Sequence, residues 1–184
     1  HYDNTGTDAG EFVEIAGPAG TDLSAYTIEL YNGSTGAVYD TDAFTGAIPD
    51  QDNGFGTASM SFAATNIQNG APDGIALVHN GTVVQFLSYE GTFTATSGTA
   101  ATMTSVDIGR LEAGSEPGGL SLQLQGAGTL YEHFTWSTPI AHTAGDMERV
   151  RRYYLFGTLG SAFLLAFAAG VIWLLSPWIF RLWL

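Results

Sequence analysis

Hydrophobic positions in the first 140 residues recur in short runs, and no stretch there shows a helical period of useful length. Residues 11–16 (EFVEIA), 26–31 (YTIELY), 74–79 (GIALVH), 82–88 (TVVQFLS) and 120–124 (LSLQL) have the β-branched, aromatic and alternating character of strands. In YTIELY and LSLQL the alternation predicts one face in a core and the other in water. Asn32-Gly33, Asn53-Gly54, Asn69-Gly70 and Asn80-Gly81 are pairs that accept positive φ. The last of these joins two apolar runs as a two-residue hairpin requires. Residues 92–104, rich in Thr, Ala, Ser and Gly, read as long loops or a weak edge strand. Short strands between Gly-rich turns predict an all-β sandwich or barrel.

The pattern changes at Asp146/Met147. Residues 153–180 (YYLFGTLGSAFLLAFAAGVIWLLSPWIF) carry no charged side chain, and ~20 apolar residues suffice to cross ~30 Å of hydrocarbon. The predicted organisation is a β-domain over 1–140, a linker with a basic juxtamembrane segment over 141–152, a transmembrane α-helix over 153–176 and an interfacial tail over 177–184. Ser176-Pro177 is expected to bend or end the helix, because proline lacks the backbone donor and disfavours helix at the residue before it. Ala162, Ala166 and Gly170 fall four apart, with Gly157 and Ser161 as a second small pair. Such residues let helix backbones approach closely in lipid, so this stripe is the expected helix-packing face. Arg149, Arg151, Arg152, Tyr153 and Tyr154 at one end, and Trp173, Trp178, Arg181 and Trp183 at the other, are the expected membrane-interface residues.

Charge narrows the function classes. Before the break stand seventeen acidic residues and one base, Arg110, and the chain contains no lysine. Phosphate-backbone affinity comes largely from Lys and Arg displacing counterions, so no nucleic-acid partner is expected. The chain has no cysteine, which excludes disulfides, thiolate metal sites and a cysteine nucleophile. His1, His79, His133 and His142 show no metal-ligand spacing and read as surface or strand residues. Asp50-Gln51-Asp52-Asn53-Gly54 has the alternating oxygens of a calcium loop, but its glycine comes fifth and no glutamate stands twelfth, so a plain turn is expected. Asp3, Asp8, Asp40 and Asp42 read as loop residues. Asn32-Gly33-Ser34 and Asn80-Gly81-Thr82 match the glycosylation pattern only as a by-product of their Asn-Gly turns. Glu116-Pro117-Gly118-Gly119 lacks the lysine and helix of a phosphate cradle and reads as a turn. No catalytic residue, metal or cofactor is expected, and the chain reads as a non-enzyme.

Gly10-Glu11-Phe12-Val13-Glu14-Ile15, Asp22-Leu23-Ser24-Ala25-Tyr26-Thr27-Ile28, residues 69–78 (NGAPDGIALV) and residues 85–91 (QFLSYEG) resemble, in order and spacing, the lamin-tail domain in its bacterial, secreted versions. The resemblance covers residues 1–136 and implies an immunoglobulin-like β-sandwich and an export route, with Glu11 and Glu14 in structural roles. It also implies that a strand normally preceding His1 is cut short here. The tail over residues 173–183 (WLLSPWIFRLW) resembles the Trp- and Pro-containing ends of bacterial light-harvesting polypeptides, without a histidine in the span to ligate a pigment.

These features lead to one expectation: a single-pass protein of a bacterial inner membrane with its β-domain periplasmic or extracellular. It would act as an accessory or scaffolding subunit, with the lipid bilayer and an integral photosynthetic or respiratory complex as partners. The alternative is an exported adhesion or nuclease-targeting module whose C-terminal helix is a cleavable sorting signal. Orientation carries a conflict, since Arg149, Arg151 and Arg152 outnumber Arg181 and the positive-inside rule would keep the β-domain in the cytoplasm. Met147-Glu148-Arg149-Val150-Arg151-Arg152 also has the form of a signal-anchor N-terminus, which would remove the conflict if that segment preceded the β-domain in the gene.

Overall fold

The computed structural model describes residues 1–128 and 130–141, all within the first of two units into which the chain divides, His1–Gly145. These residues are almost entirely strand, turn and loop, with a single 3-10 turn at Tyr131–His133. The fold is all-β. Five strands form the main sheet: β2 (Tyr26–Asn32), β3 (Ala37–Ala43), β5 (Asp73–His79), β6 (Thr82–Tyr89) and β7 (Val106–Asp107), in the order β3-β2-β5-β6-β7. Neighbours are antiparallel except β6 and β7. A separate antiparallel ribbon pairs β1 (Phe12–Pro18) with β4 (Phe55–Ser61).

The β5–β6 hairpin forms as its sequence requires. Asn80 and Gly81 take φ of 50° and 71°, the two positive values that match a tight turn to strand twist. The other Asn-Gly pairs divide. Asn53-Gly54 is also doubly positive, at 48° and 84°, whereas Gly33 and Gly70 do not adopt positive φ. Gly33 is required for a different reason, since a Cβ there would lie 1.9 Å from the Pro72 carbonyl oxygen.

The main sheet is buried on both faces. Ile28, Leu30, Ile75, Leu77 and Tyr89 point to one side, where Val13, Ile15, Ala58 and Met60 of the β1–β4 ribbon close a first cluster with Leu23, Phe44, Ile48 and Ile67. The alternate residues Tyr31, Ala76, Val78 and Phe86 point to the other side, where Phe93, Ala95 and Ala100 close a second cluster. The expectation that the polar face of YTIELY meets water is therefore overturned. Glu29 and Tyr31 are 7% and 0% exposed, because residues 92–104 fold over them, with Phe93, Ala95 and Ala100 buried and most of the loop's other residues exposed. This loop is short of apolar bulk, and that hid its role.

Residues 120–141 form a second, irregular hairpin. Here β8 (Leu120–Ser121) pairs with β11 (Ile140–Ala141), and β9 (Leu124–Gly126) pairs with β10 (Phe134–Trp136). Ser137 N donates to Gln123 O at 2.8 Å between the two short ladders. The predicted strand at 120–124 is thus interrupted, and its expected faces hold only in part: Leu122 packs on the first cluster, while Ser121 is buried and Leu124 is exposed. Strands β3, β4, β7, β10 and β11 had no sequence signal. AVYDTDA and FGTASMS carry too few bulky apolar residues to read as strands, although each sits at a sheet edge or in the two-stranded ribbon.

Candidate functional site

The most structured polar region surrounds the loop from residue 65 to residue 73. Glu11, fully buried just before β1, accepts hydrogen bonds from three successive backbone amides, Thr65 N at 2.8 Å, Asn66 N at 2.9 Å and Ile67 N at 2.8 Å. Three consecutive N–H groups turned on one carboxylate form an anion-binding nest supplied from within the chain. Asp73 at the start of β5 holds the other end, accepting from Gly70 N at 2.7 Å and Gly33 N at 2.8 Å. Burial raises the Asp73 pKa, against the lowering effect of those two amides. Tyr39 Oη accepts from Gln68 N at 3.0 Å, and Tyr89 Oη donates to Gln68 O at 2.5 Å. Asp40 reaches the same loop through Asn66 Nδ2 at 2.7 Å, so it is more than a residue of local turn chemistry.

The loop walls a hollow of about 460 Å³, bordered by Asp8, Asn32, Ser34, Gln68, Asn69 and Asp73 among others. Asn32 Nδ2 donates to Gln68 Oε1 at 2.6 Å, and Asn69 Nδ2 donates to Asp8 Oδ2 at 2.7 Å. The carboxylates of Asp8 and Asp73 on its border disfavour an anion. No histidine lines it. Ser34 Oγ donates to Asn32 Oδ1 at 2.6 Å, so that hydroxyl has no general base beside it.

A second carboxylate knot adjoins it. Glu112 is 1% exposed and accepts from Tyr2 N at 2.6 Å and Asp3 N at 2.9 Å, with His1 Nδ1 at 3.1 Å. His1, expected at the surface or in a strand, has a side chain only 2% exposed. Tyr2 stacks on Tyr89 with ring centroids 4.0 Å apart, which ties this segment to the first cluster. Burial and the neighbouring Asp8 carboxylate push the Asp3 pKa up to about 6. For Asp8, hydrogen bonds from Asn69, Asn4 and Asp3 outweigh burial and hold its pKa below the ordinary value.

The third staple is Glu29, which accepts from Thr99 N at 2.9 Å, Thr99 Oγ1 at 2.5 Å and the Tyr31 hydroxyl. Ala100 N then donates to Tyr31 Oη at 3.1 Å. Glu11, Glu29, Asp73 and Glu112 therefore serve one purpose, satisfying backbone donors of loops that would otherwise be buried unpaired. Sequence reading assigned Glu11 a structural role and missed the other three. A lone acid inside an apolar strand, as in Tyr26-Thr27-Ile28-Glu29-Leu30-Tyr31, was the available signal.

Asp50–Gly54 is a turn closed by Gly54 N donating to Asp50 Oδ1 at 3.0 Å. Among the described residues no group of three or more His, Asp or Glu is arranged to hold a metal. His79 stacks on Tyr26 with centroids 4.2 Å apart, and His133 closes the 3-10 turn. The predicted helix-packing residues Gly157, Ser161, Ala162, Ala166 and Gly170 lie outside the described residues. So do His142 and the interface set from Arg149 to Trp183. Among the described residues no helix is long and apolar enough to cross a membrane. Comparison of the chain with protein-family models, curated proteins and solved structures finds no match.

Proposed function

We propose that the chain is a non-enzymatic, single-pass membrane protein that tethers a lamin-tail-like, immunoglobulin-like β-sandwich outside the cytoplasmic membrane of a bacterium, as an accessory or scaffolding subunit of a larger membrane complex. The observation that carries this reading is the uncharged run over residues 153–180, preceded by Arg149, Arg151 and Arg152 and joined to a compact β-domain. Two sheets closing on one apolar cluster support the sandwich. The lamin-tail-like reading gains support from Glu11, Asn69 and Asp73, which come from two separated motifs and meet around one loop. The buried carboxylates support a scaffold, since their acceptor capacity is directed at backbone amides. The stripe of Gly157, Ser161, Ala162, Ala166 and Gly170 is the surface offered to an integral membrane partner.

Carbonate washing of membranes, followed by mild detergent extraction and size determination, tests the reading. A chain that resists the wash and migrates with a larger assembly is expected. Release by carbonate, or a solubilised monomer with no stable partner, would overturn it. A mature mass lacking residues 153–184 would instead favour an exported module with a cleaved sorting helix. A single peptide spanning residues 145–149 would exclude a segment order in which the anchor precedes the β-domain.

A further inference from the structure

We infer that Asn80 is the site at which this chain deamidates spontaneously, and that the fold protects the other three Asn-Gly pairs from the same reaction. Asparagine is a thermolabile residue, and a glycine after it leaves the next backbone nitrogen unshielded by a Cβ. The reaction runs through that nitrogen. It attacks the asparagine Cγ, an N–C bond closes a succinimide ring, and the side-chain nitrogen leaves as ammonia with the proton that the backbone nitrogen gives up. Water then opens either ring carbonyl, giving aspartate or an isoaspartate whose backbone runs through the side-chain carbon.

Three of the four glycine nitrogens are bound to a carboxylate. Gly33 N donates to Asp73 Oδ1 at 2.8 Å, Gly70 N to Asp73 Oδ2 at 2.7 Å and Gly54 N to Asp50 Oδ1 at 3.0 Å. Such an N–H must be released before it can react, and the neighbouring negative charge opposes its loss of a proton. The asparagine side chains before them are held as well. Asn32 Oδ1 accepts from Ser34 Oγ at 2.6 Å, Asn69 Nδ2 donates to Asp8 Oδ2 at 2.7 Å, and Asn53 Nδ2 donates to Asp52 Oδ1 at 2.8 Å.

Gly81 differs from these three. In the turn between β5 and β6 the ladder ends on His79 opposite Thr82, and Gly81 N has no hydrogen-bond partner among the described residues. Asn80 and Gly81 are both exposed, and a Cβ at Gly81 would meet nothing within 4 Å, so water and base reach the nitrogen from an open side. Asn80 Nδ2 meets His79 Nε2 at 3.1 Å, in an exposed contact. Conversion would place a carboxylate at this hairpin tip. The isoaspartate product would also lengthen the backbone inside the turn that sets β5 in register with β6.

The full chain, held folded in mild detergent and mildly alkaline buffer, is sampled over weeks by peptide mapping with mass spectrometry. Conversion at Asn80 should exceed that at Asn32, Asn53 and Asn69 by about tenfold or more, the rate cost of freeing a nitrogen bound to a carboxylate. In denaturant the four rates should converge. D50A changes an exposed turn residue and frees Gly54 N, so conversion at Asn53 should rise by about tenfold while Asn80 is unaffected. Equal rates at the four pairs in the folded chain, or a faster site at Asn32, Asn53 or Asn69, would overturn the assignment. A gap that persists in denaturant would overturn protection by the fold, and an unchanged Asn53 rate in D50A would overturn the carboxylate as its agent.

Discussion

The loop over residues 92–104 and the hairpin over residues 120–141 handle their side chains in opposite ways. The loop lays Ala95, Ala100 and Phe93 over the main sheet and draws Thr99 onto a buried carboxylate. The hairpin, with more aromatic and aliphatic bulk, leaves Leu124, Leu130 and Tyr131 exposed. Apolar content does not separate them. One difference is an acceptor inside the domain: Glu29 accepts from the loop's Thr99 N, while Ala95, Thr102 and Met103 N pair within the loop, and the hairpin tip pairs its amides through the β9–β10 ladder. A segment enters this core when its N–H groups find a partner there, since an unpaired buried donor costs about 1–3 kcal/mol.

The strongest way to break that contrast is to remove the acceptor with the most backbone donors. Glu11→Ala leaves Thr65, Asn66 and Ile67 N–H groups without their carboxylate and opens a buried void. Allowing for water reaching part of the loop, a loss of about 3–5 kcal/mol is expected. That is a large share of the ~5–15 kcal/mol by which domains are stable. Urea unfolding measures it, and a loss below about 1 kcal/mol would show that the nest does not hold the loop.

Glu29→Ala is the next step down, at about 2–4 kcal/mol, because one backbone amide, the Thr99 hydroxyl and the Tyr31 hydroxyl lose their acceptor. Its signature is local. Amide exchange at Thr99 and Ala100 should accelerate well beyond that of β5 and β6. Equal acceleration everywhere would mean that the loop and the sheet unfold as one unit, and that Glu29 is not what seats the loop.

The same contrast explains how far the sequence could be read. Strands β1, β2, β5 and β6 and the Asn80-Gly81 turn were legible because bulky apolar residues and positive-φ chemistry are local signals. Edge strands β3 and β4 were not, since AVYDTDA and FGTASMS are held by their neighbours' hydrogen bonds more than by their own side chains. The polar hollow was invisible for a longer-range reason. Its wall depends on Glu11 meeting residues 65–67, more than fifty positions away, and nothing in either segment announces the other.

A smaller effect tests the acid pair beside the hollow. The folded Asp3 pKa of about 6 lies above its ordinary value of 3.8. The folded state therefore binds this proton more tightly than the unfolded chain does. That contribution is fully present below about pH 4 and is lost as the pH rises through about 6. Asp8, held below its ordinary value, acts in the opposite sense, contributing above that value and losing its contribution as the pH falls. Asp3→Asn removes the titrating group while keeping a side chain of the same size beside Asp8. The decline in melting temperature between pH 4 and 6.5 should flatten, by less than about 1 kcal/mol once solvent screening is applied. An unchanged profile would mean that Asp3 does not carry this pH dependence.

The smallest effect sharpens the comparison most. Leu122 and Leu124 stand two residues apart in one hairpin arm, the first packed on the core and the second 38% exposed. Leu122→Ser should cost about 1–2 kcal/mol, a fraction of the full core penalty because the site is only half-buried. Leu124→Ser should change stability by no more than about 0.5 kcal/mol, as exposed substitutions do. A Leu124→Ser loss above about 1 kcal/mol would mean that the tip packs against the domain. The boundary between the packed and exposed parts of this domain runs between two leucines of one hairpin arm.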